Sequence, residues 1–574
     1  MHIRSAVSTS SVVNVSSVTR FRRIGLRALA ITLCSVIVSA RAEESWPKPG
    51  ESGSKLVDGL TVYRFPITTS SKEAQQWFNQ GLMLLYGFNH GEAIRSFREA
   101  AALDCDAAMP WWGIAYANGM HINRPEVTED QWKEGYEASQ RALSLLDNEA
   151  PIEQALVRAV ATRTAWPKPE KQRPYDEAYA EAMKQVYAEH GSSPDVAVLY
   201  VESLMNLQPW DYWTPELQPK ANCEVIVRVL EDALRLNADH PQACHLYIHA
   251  MEAGPYPARA LAAAEALRDR VPAAGHLVHM PSHLFARVGQ YDNAVTANEF
   301  AVKADDAFFA VGTDVGFYYI YHAHNLHFLA FAAMMEGQYE EALAAARRLE
   351  KAVPDAALDQ FAPVIEGIIP TTLHVMIRFG KWEDILKEPK PPAKRPVMLA
   401  MHHYTRGVAF SALGRTKEAR KEIKRFDAQL KNVPGEWWIF ANRVHDVLPI
   451  GRAMLEGELA YREGRLDDAW AALERGIAAE DKLLYDEPPG WMIPVRHAMG
   501  ALLMESGDYA RAEKLYREDQ VEHPGNGWSL LGLKQALAAQ GKDDEAATYA
   551  KRLEIAWKDV KTKPTSSCAC APLL

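Results

Sequence analysis

Apolar residues recur along this chain at intervals of three and four, in runs of 12–15 positions broken by short Gly, Pro, Asn or Asp segments. Such spacing lines apolar side chains along one face of a helix and leaves the other face polar. No stretch rich in β-branched residues alternates with period two, so the pattern predicts an all-α protein. The breaks themselves return with a longer period, which points to an array of repeated helical units.

Several segments share one set of offsets. A small residue is followed twelve positions later by alanine and four further on by an apolar or aromatic residue: Gly81/Ala93/Phe97, Gly407/Ala419/Ile423, Gly457/Ala469/Leu473 and Gly500/Ala512/Tyr516. Pro524 lies twelve after Ala512, and Pro272 and Pro354 hold the same offset from Ala260 and Ala342. Gly-Gln-Tyr at 289–291 and 337–339 and Gly-Asp-Tyr at 507–509 mark turns. Small residues on facing helices allow axes to approach within about 8–10 Å, and proline stops the second helix. In these residues the chain resembles the tetratricopeptide repeat (TPR) family. The resemblance implies a right-handed superhelical solenoid of antiparallel helix pairs, with at least seven units. It divides the chain into TPR-like repeats over 73–124, a helical insert or degenerate repeats over 125–240, a His-rich set over 241–355 and further repeats over 356–560. An N-terminal extension (43–72) precedes them, and a flexible tail (561–574) is expected to follow.

The first 42 residues contain six arginines and no acid, then an apolar stretch from Ala28 to Val38 and Ala40-Arg41-Ala42. A basic region, a short apolar segment and a small-x-small end predict an export signal cleaved near Ala42, with the product secreted or periplasmic. The apolar stretch is too short for the ~20 residues of a membrane span, and no later segment qualifies. Loss of the six arginines takes the net charge from −11 to −17; so acidic a chain repels phosphate backbones, and a nucleic-acid partner is not expected. No phosphate-binding glycine loop, His-Glu-x-x-His or Gly-x-Ser-x-Gly is present, so neither a nucleotide cofactor nor a familiar hydrolase is indicated. Five cysteines outside the leader are too few for a disulfide scaffold; Cys568-x-Cys570 lies in the tail.

Histidine changes the picture. Nine of nineteen fall between His240 and His327, where an even scatter would put about three. By the TPR resemblance, His245, His279 and His327 share one position of successive repeats, His249 and His283 a second, and His276 and His324 a third, with Glu252 on the same stripe. Offsets of three, four and seven keep them on one helical face, which in TPR proteins lines the concave groove. Imidazole suits zinc, copper and iron alike, so His245, His249, Glu252, His276, His279, His283, His324 and His327 form a candidate transition-metal site, with copper or zinc first and iron next. Trp112, Tyr116 and His497 are candidates for the rest of the groove. Three readings stand at this point. One is a scaffold that binds a protein, peptide or small ligand around a metal, another a metalloenzyme using the same histidines, and the last a metal-free peptide- or sugar-binding protein.

Overall fold

A computed structural model describes residues 48–311 and 316–571. The leader (1–42) and its cleavage point lie outside the described residues. The chain is an all-α solenoid of TPR-like helix pairs. The first pair is α1 (Lys72–Tyr86) with α2 (His90–Leu103), then α3 (Ala108–Ala117) with α4 (Glu129–Leu143). Pairing runs through α5 (Pro151–Ala161) with α6 (Arg173–His190), α7 (Pro194–Asn206) with α8 (Cys223–Leu236), and α9 (Pro241–Met251) with α10 (Leu261–Arg268). The next first helix is split into α11 (Gly275–His279) and α12 (Pro281–Arg287), facing α13 (Tyr291–Val311). Then come α14 (Tyr319–Glu336) with α15 (Tyr339–Ala352), α16 (Asp355–Ile365) alone, and α17 (Thr371–Arg378) with α18 (Trp382–Lys387). The C-terminal third holds α19 (Pro396–Ala412) with α20 (Thr416–Leu430), α21 (Val444–Arg462) with α22 (Leu466–Glu480), α23 (Val495–Ser506) with α24 (Tyr509–Glu522), and α25 (Gly527–Ala539) with α26 (Asp543–Ala556). The only strands among the described residues are the two-residue β1 (Trp438–Ile439) and β2 (Asn442–Arg443), paired antiparallel.

Close packing explains the repeat residues. A Cβ added at Gly81 would sit 2.5 Å from the Phe97 ring, and one at Gly500 2.5 Å from the Tyr516 ring. Each aromatic thus fills the space that its glycine leaves open, and a side chain there would cost about 1–3 kcal/mol of overpacking. Gly407 packs against Leu455 of α21 rather than Ile423. Ala93, Ala260, Ala294, Ala342, Ala419, Ala469 and Ala512 are all fully buried. Gly289, Gly337 and Gly507 turn the chain with φ between 81° and 87°, a left-handed conformation that costs glycine nothing.

The array also closes back on itself. The indole of Trp528 donates to the Met334 carbonyl at 2.9 Å, Lys558 pairs with Asp292 at 2.9 Å, and the Tyr485 hydroxyl reaches Glu252 at 3.4 Å. The concave side of the middle repeats is therefore an interior, not an open trough. The tail differs from the free end expected for it. Ser567, Cys570 and Ala571 are buried, and Arg378 donates to the Ser567 carbonyl at 3.2 Å while the Ser567 hydroxyl bonds Tyr516 at 2.6 Å. Small side chains let it lie in the C-terminal groove, with Cys568 and Cys570 joined as a disulfide. No helix of the described residues is long and apolar enough to cross a membrane.

Candidate metal centre

Three first helices deliver the histidines. In α9, Pro241 starts the helix and sets His245 and His249 one turn apart on its inner face. Pro281 lacks an N–H and divides the next first helix into α11 and α12, yet the His279 and His283 rings still meet, with centroids 4.8 Å apart. Helix α14 contributes His324. Two sets result. One nitrogen from each of His245, His249 and His276 lies within 4.8 Å of the others, and the same holds for His279, His283 and His324. The sets adjoin: the His276 and His279 rings are 6.0 Å apart and those of His249 and His283 6.2 Å. All six are buried except His324, which is partly so.

The hydrogen bonds to these rings are one-sided. The Nδ1 of His245 faces the Gln242 amide oxygen at 3.1 Å, that of His249 the Glu252 carboxylate at 2.7 Å, and that of His279 the Asn298 amide oxygen at 2.6 Å. The other Glu252 oxygen lies 2.6 Å from the His283 Nδ1. Oxygens that only accept fix the proton on Nδ1 of neutral His245, His249 and His279, so the Nε2 of each of these three presents a lone pair. The Nε2 atoms of His245 and His249 have no partner among the described residues, and His276 has none at either nitrogen. The Nε2 atoms of His279 and His283 face each other at 2.9 Å. With its charge favoured by Glu252, His283 can donate an Nε2 proton to His279 across that gap, and a metal ion held by both rings would take that proton's place. With bonds of 2.0–2.1 Å, nitrogens about 3–3.5 Å apart are two ligands of one metal ion.

Electrostatics agree with this arrangement. Burial, followed by the neighbouring histidines, holds His245, His276 and His324 well below the usual imidazole range; burial likewise lowers His249 and His279. They are neutral, as ligands must be. Burial also opposes charge on His283 and Glu252, but their mutual attraction prevails, raising His283 and keeping the carboxylate ionised.

Other expected residues stand elsewhere. Glu252, expected among the ligands, instead hydrogen-bonds the His249 Nδ1 with one oxygen and sits at ion-pair distance from the His283 Nδ1 with the other, so it orients two ligands, one from each set. His327 joins neither set; its Nε2 meets the Met492 sulfur at 3.3 Å, and burial with His374 nearby lowers it to about 3. Trp112 and Tyr116 do not line a groove. They stack at 5.2 Å, each 1% exposed, because Tyr179 of α6 and the Arg163 guanidinium close over Tyr116. His497 is buried with both nitrogens used: Arg378 donates to Nδ1 at 2.9 Å, and Nε2 donates to Asp519 at 2.7 Å.

Sequence reasoning missed the aromatic walls. Phe88 packs on His245, His249 and His276 at 4.8, 6.1 and 5.2 Å, Trp210 on His249 at 4.9 Å, and Phe440 on His324 at 5.3 Å. All three have left-handed backbones, with φ of 57°, 64° and 47°, a strained state that clusters at functional sites.

No protein-family model and no curated protein matches the chain. Solved structures similar to it include the human IFIT1 dimer with m7Gppp-AAAA, 13% identical over 90% of this chain and 99% of that one, with a TM-score of 0.32. Another is the Cut9–Hcn1 hetero-tetramer of APC/C, 12% identical over 86% and 79%, with a TM-score of 0.29. Likeness this slight bears on neither ligand nor activity.

Proposed function

We propose that this TPR-like scaffold holds a transition-metal centre in the interior of its middle repeats, bound by two adjoining three-histidine sets. The carrying observation is the partner pattern: each Nδ1 of His245, His249 and His279 is fixed by an amide or carboxylate oxygen, while the Nε2 atoms of His245 and His249 have no protein partner and that of His279 meets only the His283 imidazole. His497, by contrast, has both nitrogens bonded to protein groups, and the unpartnered nitrogens of His90, His327 and His374 do not converge with others into such a group. Copper fits best. Neutral donors leave the metal's own charge in a dry site with one nearby carboxylate, and monovalent copper makes that burial least costly. Zinc is the second choice.

Export near Ala42 remains part of the proposal, resting on the acid-free basic leader; N-terminal sequencing of the mature protein that began at Met1 would contradict it. The metal reading is tested by elemental analysis of the purified protein and by spin-resonance spectra after loading with Cu(II). Stoichiometric copper coupled to three nitrogens is the expected result. Absence of metal at equilibrium with micromolar copper and zinc would refute it.

A further inference from the structure

The first set and its surroundings carry the centre one step further, on the assumption that the metal reading holds. Three imidazoles complete neither a tetrahedral nor a square site, and among the described residues no fourth histidine, cysteine or carboxylate joins this group. Glu252 spends both oxygens on Nδ1 atoms of His249 and His283, and Gln242 spends its oxygen on His245. What adjoins these three histidines is aromatic: Phe88 touches all of them, Trp210 lies against His249, and Tyr321 lies against His276 at 4.7 Å. A metal with three protein ligands and one position left is the arrangement of catalytic, not structural, sites.

The covering groups form a single bridge. The Trp210 indole donates to the Asn123 amide oxygen at 3.0 Å, and the Asn123 amide nitrogen donates to the Tyr321 hydroxyl at 3.2 Å. That bridge spans the set from His249 to His276. Phe88 and Tyr321 are buried, 3% and 4% exposed, whereas Trp210 is 43% exposed over a histidine that is 2% exposed. Trp210 is thus the one wall with solvent on its far side.

Its backbone fits a movable cover. Trp210 sits in the loop between α7 and α8, where Trp210, Leu217 and Asn222 all have φ between 60° and 64°. The loop is anchored just beyond it, by the buried Tyr212 and by the Trp213 indole donating to the Ala250 carbonyl at 2.8 Å. The Trp210 side chain is held by ring packing on His249 and by the Asn123 bond. A side chain held by so few contacts can swing aside when they open.

We propose that the metal at His245, His249 and His276 keeps a coordination position for a small external oxygen or nitrogen donor, of the size of water, hydroxide or dioxygen, and that Trp210 is the door through which it arrives. The centre is then one that reacts with a ligand from outside.

Azide, a small nitrogen donor, is the probe. The copper(II)-loaded full chain is mixed with azide, and the charge-transfer band is followed by stopped flow. Wild type should show saturable binding. Trp210→Ala, and independently Asn123→Ala, should raise the association rate about tenfold with copper content unchanged. Trp166→Ala, an exposed indole elsewhere, should leave it unaltered. Bound copper with no azide band would show the position closed and overturn the proposal; equal rates in wild type and both door variants would overturn the door. A protein that binds no copper would refute the metal centre itself, and this inference with it.

Discussion

His279 and His497 occupy the same position of their repeats by the TPR register, and both are fully buried, yet the fold treats them in opposite ways. His497 has a donor on one nitrogen and an acceptor on the other, with its own chain's tail packed alongside: the Ser567 hydroxyl donates to the His497 carbonyl at 3.0 Å. His279 has an acceptor on Nδ1 only, and its Nε2 is aimed at a second imidazole. Burial alone therefore does not separate a ligand from a core residue. Convergence of unpartnered nitrogens does: His90, His327 and His374 each have one such atom but belong to neither set. An unsatisfied buried polar atom costs about 1–3 kcal/mol, and a protein keeps a converging cluster of them only where something else satisfies them.

The largest effect should come from removing a ligand. His283→Ala is expected to lower metal affinity at its set by more than the 10–100-fold that outer-shell changes cost. The melting temperature of the metal-free protein should move by only a few degrees, because each repeat keeps its own packing against its neighbours. Calorimetric metal titration and a thermal melt check the two halves.

Next comes Glu252→Gln. One carboxylate orients ligands of both sets, so affinity should fall about 10–100-fold at both. Asn298→Ala should weaken only the set that contains His279. Equal losses at both sites for the two variants would blur the division into sets.

His497→Ala should do the reverse of His283→Ala. It deprives the buried Arg378 and Asp519 of a partner each, so unfolding free energy should fall by about 3 kcal/mol with metal content intact. Chemical denaturation measures it.

The smallest effect is that of pH on the metal-free protein. His327 and His374 are held at about 3 by burial, from an ordinary 6.5, so the unfolded chain binds more protons below 6.5. Their contribution is full above about 6.5 and falls as pH drops from there toward 3. Glu149, Glu336, Glu366 and Glu487, raised to about 7 by burial, and Glu480, raised to about 8, act in the opposite sense above 4.5, so the net loss should show below about pH 5.

The fold was readable because its signal is local. Gly81 with Phe97 and Gly500 with Tyr516 are contacts within one repeat, at fixed spacing, and repeat phase brought the histidines onto one face. What that phase could not show is what covers the face. The pitch that carries Tyr485 to Glu252, and α6 over Tyr116, is a sum of small rotations over many repeats, and no single segment encodes it. Hence Trp112 and Tyr116 look like groove residues in the register and are core in the fold. Glu252 reads as a ligand because carboxylates commonly are; only the positions of two Nδ1 atoms reveal its other use. Asn298 sits on the facing helix four residues after a packing alanine, a weak signal that gains meaning once His279 lies beside it. Phe88, Trp210 and Phe440 owe their aim to left-handed backbones at non-glycine residues, which nothing in their neighbours announces.

The central claim is that converging imidazole nitrogens, not burial, tell the ligand from the core histidine, and one comparison tests it: bound metal per chain, by elemental analysis after equilibration with limiting copper, for wild type, His279→Ala and His497→Ala. The account predicts stoichiometric metal in wild type and His497→Ala, and loss from the second set in His279→Ala. Metal retained in full by His279→Ala, or lost equally by both variants, would contradict it.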